Sequence, residues 1–499
     1  MTHSKPFSDY EPLRPSSSRK SSIPSLEADD TYSDLTRSSS QEIPRESDES
    51  LSPAFSNAQT ISEKPAKQQE EDSAKSDAES PLKTSGENWV FKNGHSLSFA
   101  GVFLFTALVY FRPYEYFPSL SWLSSSTFWV AIITLLIFLP TQLGLEGRLT
   151  VRPREVNLIL LLLATGALSI PLALEPAKAG NGFIDFLKVV VMFIVMVNVV
   201  RSEKRLKILW ILVLLATCLL SIGAVNDYRL GRLATQGVRI QGVIGGLFDN
   251  PNDLALHLVT MIPITLALMF SSRNPLSKVL YFVCAILITG GVVATFSRGG
   301  FLALAFSIGL FMWKLARRSR LLVGIIGAAL IALFMVVAPA GYGARLSTTH
   351  DDSAIARLDD LKRSLFVAVR HPVFGVGMDN YILFSNFNKA SHNAYTQVAS
   401  EMGVAATVFY VLFMVAPFKR LRNIERESAE IKSRRRFYYL AIGLQASLAA
   451  YMVASFFASV AYLWYVYYVV AYSVCLRRIY KAAIEQEVLT APTLSQPLG

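Results

Sequence analysis

A series of long apolar segments constrains this chain more than any other feature. Twelve follow one another, separated by short charged loops. A helix needs about 20 residues to cross the roughly 30 Å hydrocarbon core of a bilayer. Because the segments are continuously apolar, without the alternation of barrel strands, they predict an all-α polytopic membrane protein with about 12 transmembrane helices among membrane lipids. Their approximate bounds are 95–111, 122–141, 155–174, 184–200, 206–225, 253–270, 278–296, 300–314, 321–340, 395–417, 437–457 and 459–476.

The ends of the chain differ from this membrane domain. Residues 1–80 contain 20 serines and no long apolar run, so they cannot bury enough surface to offset the entropy of ordering. We predict a disordered Ser-rich tail over residues 1–90, a membrane domain over 95–480 and a short C-terminal tail over 481–499. The tail lacks the pattern of a cleavable signal peptide and is expected to be retained.

The net charge of +11 comes mostly from Lys and Arg in the loops between the apolar segments. Lys and Arg concentrate in every second loop, as in the cytoplasmic loops of membrane proteins. This pattern predicts a multi-pass protein with both termini cytoplasmic, and it explains the charge without a nucleic-acid partner. The basic loops lie near residues 148–154, 201–207, 273–278, 314–320 and 419–436, and the C-terminal tail adds Arg477, Arg478 and Lys481.

The longest polar interruption runs from Gly341 to Glu401, on the side opposite to the basic loops. Apolar residues within 353–370 recur at spacings of three, four and seven, which predicts an amphipathic helix in a folded extramembrane cap. These residues are Ile355, Leu358, Leu361, Leu365, Phe366 and Val369. The helix should end at His371-Pro372, and Gly375 and Gly377 should then form a tight turn.

Four arginines on this outer side are not explained by the distribution of basic loops: Arg112, Arg239, Arg298 and Arg357. Singly, each could be a solvated or snorkelling cation. Together, their planar donor forks would suit a phosphate or pyrophosphate. Ser297, just before Arg298, is placed to cap the next helix.

His392 has the most suggestive surroundings of the six histidines, because it lies at the membrane rim beside Asn393. An imidazole with an unperturbed pKa near 6.5 can accept a proton from a hydroxyl at neutral pH, so His392 is a candidate general base. Glu401 lies farther along the following helix, and we expect it to pair with an arginine of a neighbouring helix.

Two other polar residues, His257 and Lys188, are better explained by a structural role than by a functional one. His257 lies one turn into an apolar segment, where a packed and hydrogen-bonded histidine is the commoner case. Lys188 follows Asp185 by three residues and should form an i, i+3 pair with it.

The sequence shows no pattern of a metal or cofactor site. Cys218, Cys284 and Cys475 all lie in apolar segments, without zinc-ligand spacing. No phosphate-binding glycine loop is present. We therefore expect neither a metal nor a cofactor.

The order of several short motifs resembles the O-antigen ligase and polymerase family of bacterial inner-membrane proteins. The resemblance covers roughly residues 95–480. Its motifs are Arg239…Gly242…Asn250-Pro251-Asn252, Ser297-Arg298-Gly299-Gly300, Arg357…His371-Pro372-Val373-Phe374-Gly375-Val376-Gly377 and His392-Asn393-Ala394-Tyr395…Glu401-Met402-Gly403. The stretch from Arg112 to Pro118 is similar to a subgroup found with exopolysaccharide and protein-sorting gene clusters.

This resemblance implies a metal-independent transfer of a glycan from undecaprenyl pyrophosphate to an acceptor hydroxyl at the periplasmic face. The acceptor would be the lipid A core, another lipid-linked glycan or a protein. By position, His392 and Arg357 match the family's catalytic loop, here residues 341–394. Arg239 and Arg298 match the residues that hold the pyrophosphate, and Asn393 and Arg112 are further candidates for substrate binding.

Two alternatives remain open at this point. A polymerase of the same family would share the donor and the chemistry and differ only in the acceptor. A secondary transporter would be expected to carry ionisable residues and broken helices near the bilayer midplane, with internal repeats. The notable charges of this chain lie instead near the outer rim, which favours the enzyme.

Overall fold

The computed structural model describes residues 89–235, 239–240, 248, 250–316, 325, 352–385 and 390–490. Most of the Ser-rich tail, the segment predicted near 321–340, the first part of the long loop and residues 491–499 lie outside this description.

The described chain is almost entirely helical, as the apolar segments predict. The helices are α1 (Trp89–Phe111), α2 (Pro113–Tyr116), α3 (Ser126–Glu146), α4 (Arg154–Ser169), α5 (Pro176–Val199), α6 (Glu203–Arg229), α7 (Pro251–Ser271), α8 (Pro275–Ala294), α9 (Arg298–Ala316), α10 (Asp352–Arg370), α11 (Ala394–Ser428), α12 (Arg435–Ala454) and α13 (Trp464–Thr490). Short 3₁₀ turns lie at Pro118–Ser125, Ile170–Leu172, Tyr381–Phe384, Lys432–Arg434 and Ser455–Phe457. Strands β1 (Leu233–Thr235) and β2 (Arg239–Ile240) form one antiparallel pair.

Within the described ranges, 10 helices are long and apolar enough to cross a membrane, which confirms an all-α multi-pass protein. They are α1, α3 to α9, α11 and α12. The segment predicted at 459–476 overlaps α13, a tyrosine-rich helix that begins at Trp464 and whose first half is mostly buried. The total number of crossings stays a prediction.

Helices α7 and α12 form the centre of the bundle. Of the apolar stretch of each, 83% and 78% is buried, whereas only 22% is buried in α3 at the periphery. Gly443 of α12 packs directly against Ala267 and the backbone of Pro263 on α7, so a side chain at Gly443 would separate the two helices. Tyr410 of α11 and Tyr451 of α12 share a buried hydrogen bond of 2.8 Å.

Cations pair with carboxylates at the end of the bundle where the basic loops gather. The buried Lys314 ammonium of α9 lies 2.6 Å from Glu425 of α11, which also accepts a 2.9 Å hydrogen bond from Gln445 of α12. Arg477 of α13 lies 3.1 Å from Glu155 of α4. These pairs join four of the helices and keep the buried charges compensated.

Helix α11 is interrupted near its N-terminal end. Gly403 has φ 89° and ψ 178°, far from helical geometry. Residues 372–377, which we call the clasp, enter this break. The Val376 and Gly377 amides donate to the carbonyls of Ser400 and Glu401, both at 2.9 Å, and the Val404 amide donates to Pro372 at 2.8 Å.

The clasp has the turn that the sequence predicts. Helix α10 ends at Arg370, and Gly375 and Gly377 have φ angles of 65° and 95°. A Cβ on Gly375 would collide with the backbone of Glu401. Glycine is therefore required here both for its conformation and for the close approach of two backbones.

We predict that Gly375→Ala destabilises the protein far more than Gly147→Ala. Gly147 ends α3 with a similar φ of 62° but has open space around its Cβ position, so alanine there should cost only about 1 kcal/mol of backbone strain. At Gly375 the collision should add about 1–3 kcal/mol. The midpoints of thermal unfolding of the purified proteins in detergent measure the difference, and equal midpoints would contradict the role of the clasp.

Candidate functional site

The candidate residues lie at what we call the site end, where α1 ends and α7, α9 and α11 begin. Ser297 Oγ accepts a 3.2 Å hydrogen bond from the Gly300 amide, so Ser297 caps α9 as predicted. The same hydroxyl donates to Asn252 Oδ1 on α7 at 2.9 Å. Gly300 packs against Ala255, which brings the starts of α7 and α9 into close contact.

Arg298 and Arg357, which lie on two separate elements, interact electrostatically. Arg298 is the first residue of α9, and Arg357 lies on α10 outside the membrane spans. Burial and the positive charge of Arg298 lower the pKa of Arg357. Two like charges in a partly desolvated setting repel each other, and an anion close to both would offset this repulsion.

His392 and Asn393 lie at the start of α11. His392 has a left-handed backbone with φ 52° and is partly buried. Asn393 Oδ1 caps α11 by accepting hydrogen bonds from the amides of Tyr395 and Thr396 at 2.9 and 3.1 Å. Its Nδ2 group is buried and has no acceptor within the described part of the chain. The amide nitrogen is thus the part of Asn393 that a ligand could use.

The connection between α12 and α13 contacts the neighbours of both His392 and Arg298. Ser459 Oγ lies 3.5 Å from Ser391 Oγ, next to His392. Phe457 packs directly against Gly299, next to Arg298. His392 and Arg298 therefore both lie close to this one short connection.

Arg112 and Arg239 are less directly connected to this cluster. Arg112 forms a 2.6 Å ion pair with Glu115, and it lies within electrostatic range of Tyr465 on α13, which also interacts with Asp253 of α7. The backbone of Arg239 pairs opposite Thr235 in the hairpin. The side chain of Arg239 lies outside the described part of the structure.

Glu401 does not have the partner that we expected. In the described ranges it forms no ion pair with an arginine; its carboxylate interacts with the Tyr462 hydroxyl and with the backbone of Asp379 and Tyr381. The side chain is only 4% exposed. The expectation was wrong because the break in α11 brings the clasp region, and not another basic helix, onto this face.

The structural interpretations of His257 and Lys188 are confirmed. His257 Nε2 lies 2.9 Å from Thr217 Oγ1, and the ring packs against Tyr110 and Phe248. Lys188 Nζ lies 2.7 Å from Asp185.

The described residues contain no group of three or more His, Cys, Asp or Glu side chains that could hold a metal ion. The candidate residues at this end carry arginine, histidine and amide groups. Sequence reasoning missed Tyr462 and Tyr465, whose signal was only that tyrosines are unusually frequent in and just before the last helix.

Comparison with known protein families gives a match over part of the chain. Residues 282–411 match the family model described as O-antigen ligase. The matched segment includes Arg298, Arg357, His392 and Asn393. No curated protein matches the chain. The family match supports membership of the O-antigen ligase family.

Proposed function

We propose that this protein transfers a glycan from an undecaprenyl-pyrophosphate-linked donor to an acceptor hydroxyl. The match of residues 282–411 to the O-antigen ligase family supports glycan transfer in general. The observation that carries the specific proposal is the electrostatic interaction of Arg357 with Arg298, two guanidinium groups from separate elements, at the same end as His392. This pairing suits a diphosphate.

In the proposed reaction the arginines stabilise the leaving group. The bond between the sugar and the pyrophosphate breaks, and negative charge grows on the released lipid pyrophosphate. Arg298 and Arg357 would bind these oxygens as planar forks, and Arg239 and Arg112 would supply further positive charge. Since the lipid pyrophosphate is already a good leaving group, the proposal requires no metal ion or cofactor.

His392 acts as the general base in this proposal. It removes the proton from the acceptor hydroxyl as the oxygen attacks the sugar carbon. The Asn393 amide nitrogen would orient the imidazole or the acceptor, since the amide oxygen already caps α11. The capped start of a long helix gives both residues a rigid support.

The site faces the periplasm in this proposal. The basic loops and their ion pairs lie at the opposite end of the bundle, which the charge rule assigns to the cytoplasm. The protein would thus lie in the bacterial inner membrane with both termini cytoplasmic. A lipid-linked donor fits this location because it carries its own activated bond.

We predict that Arg298→Lys and Arg357→Lys each lose nearly as much activity as the corresponding alanine variants. Lysine keeps the charge but not the two-pronged geometry. Arg363→Lys is the matched control, since Arg363 lies on the same helix and makes only a 3.5 Å contact with the Phe384 carbonyl. Transfer from a defined lipid-linked donor in vitro measures the effect. Wild-type activity of both site lysine variants would refute the fork geometry.

His392→Gln should reduce turnover by about 10²-fold or more, because proton transfer from the acceptor is lost while the arginines are kept. Donor binding and membrane insertion should change little. The rate of the wild type should fall at acidic pH as the imidazole is protonated, and the variant should lack this fall. An active His392→Lys variant without an acidic limb would show instead that His392 serves as a fixed cation.

The acceptor class can be read from a deletion strain. We expect a ligase, so loss of the protein should leave full-length polymer on the lipid carrier, visible as long glycan chains on a glycolipid gel. Accumulation of single repeat units would identify a polymerase instead.

A further inference from the structure

Helix α10 turns its more apolar face outward. Leu358, Leu365, Phe366 and Val369 are between 51% and 70% exposed. The opposite face of the helix buries Asp360, Ser364, Val367 and Ala368. The sequence predicts this amphipathic helix correctly.

The exposed face continues into a lipid-facing surface. Val373, in the clasp, is 63% exposed, and the carbonyl of the preceding Pro372 accepts the hydrogen bond from Val404. Val404 begins a stripe on the membrane-spanning α11 that continues at steps of four, four and three residues through Val408, Leu412 and Val415, all exposed. A stripe of this kind on a membrane span faces hydrocarbon.

Cations border the apolar face of α10. The Arg370 guanidinium lies over the Phe366 ring, 4.5 Å from its centroid. Lys362 projects among the apolar residues with 69% of its side chain exposed. Long cationic side chains beside aliphatic and aromatic residues are typical of helices that lie at the boundary between acyl chains and phosphate groups.

We infer that α10 is an interfacial helix whose apolar face lies in the lipid leaflet at the site end. Leu358, Leu365, Phe366, Val369 and Val373 contact acyl chains, while Lys362 and Arg370 reach the lipid phosphates. The occupant of this face is bulk bilayer lipid. Arg357, on another face of the same helix, is thereby held near the depth of the lipid phosphates. The inference concerns a surface outside the proposed reaction and does not require glycan transfer.

Nitroxide accessibility tests the inference directly. In a background in which Cys218, Cys284 and Cys475 are replaced by serine or alanine, single cysteines are introduced at Leu365 and Val369 and spin-labelled. Val408→Cys serves as the lipid-facing reference and Asp359→Cys as the polar reference, since the Asp359 side chain is 65% exposed. The labelled proteins are placed in vesicles of phosphatidylethanolamine and phosphatidylglycerol and must first elute as a single species. Power saturation then compares collisions with oxygen, which partitions into lipid, and with a water-soluble nickel chelate.

The expected result is a ratio of oxygen to nickel collisions at positions 365 and 369 that matches position 408 and is several-fold higher than at position 359. Frequent nickel collisions at 365 and 369 would show that the face lies in water and overturn the inference. Low collision rates with both reagents would also overturn it, because they would show that protein covers the face, either a second copy or another part of this chain.

Discussion

The three backbone hydrogen bonds between the clasp and the break in α11 are the constraint on which the candidate site depends. A membrane helix with an open break leaves amides and carbonyls without partners, and unpartnered backbone groups are costly in a bilayer. Residues 372–377 supply partners for Ser400, Glu401 and Val404. The same bonds fix α10, which carries Arg357, against α11, which begins beside His392. The position of Arg357 relative to His392 is thus set by backbone hydrogen bonds, which hold it more rigidly than side-chain contacts would.

Burial and charge divide the bundle into two different ends. At the end with the basic loops, Lys314 with Glu425 and Arg477 with Glu155 form compensated pairs that tie helices together. At the site end, burial and the positive charge of Arg298 lower the pKa of Arg357. Buried pairs of opposite charge favour a fixed structure, and the positive charge around Arg357 is the basis of the anion site proposed above.

Much of the fold follows from local rules. Long apolar segments give the helices, Pro372 ends α10, and Ser297 and Asn393 act as caps because their side chains can accept from the first free amides of a helix. The break at Gly403 could not be predicted, since glycine is common inside membrane helices and its conformation here is decided by a segment about 30 residues earlier in the chain. The same long-range contact explains the wrong expectation for Glu401. The direction of the apolar face of α10 was also beyond sequence patterns, because periodicity shows that a face exists but not whether protein or lipid covers it.

Backbone strain offers an independent argument for the location of the site. Within the described ranges, the non-glycine residues with positive φ are Arg112, Phe296, Asp379 and His392. Arg112 lies directly before α2. Phe296 and His392 lie two residues before α9 and α11, and Asp379 follows the clasp. Each such residue costs about 1–3 kcal/mol and persists only where the surroundings determine its conformation. All four lie at the site end and none among the compensated pairs at the other. Strain of this kind is typical of positions where side chains must be held in a particular direction, which is what a proton acceptor at His392 and an anion site at Arg298 would require.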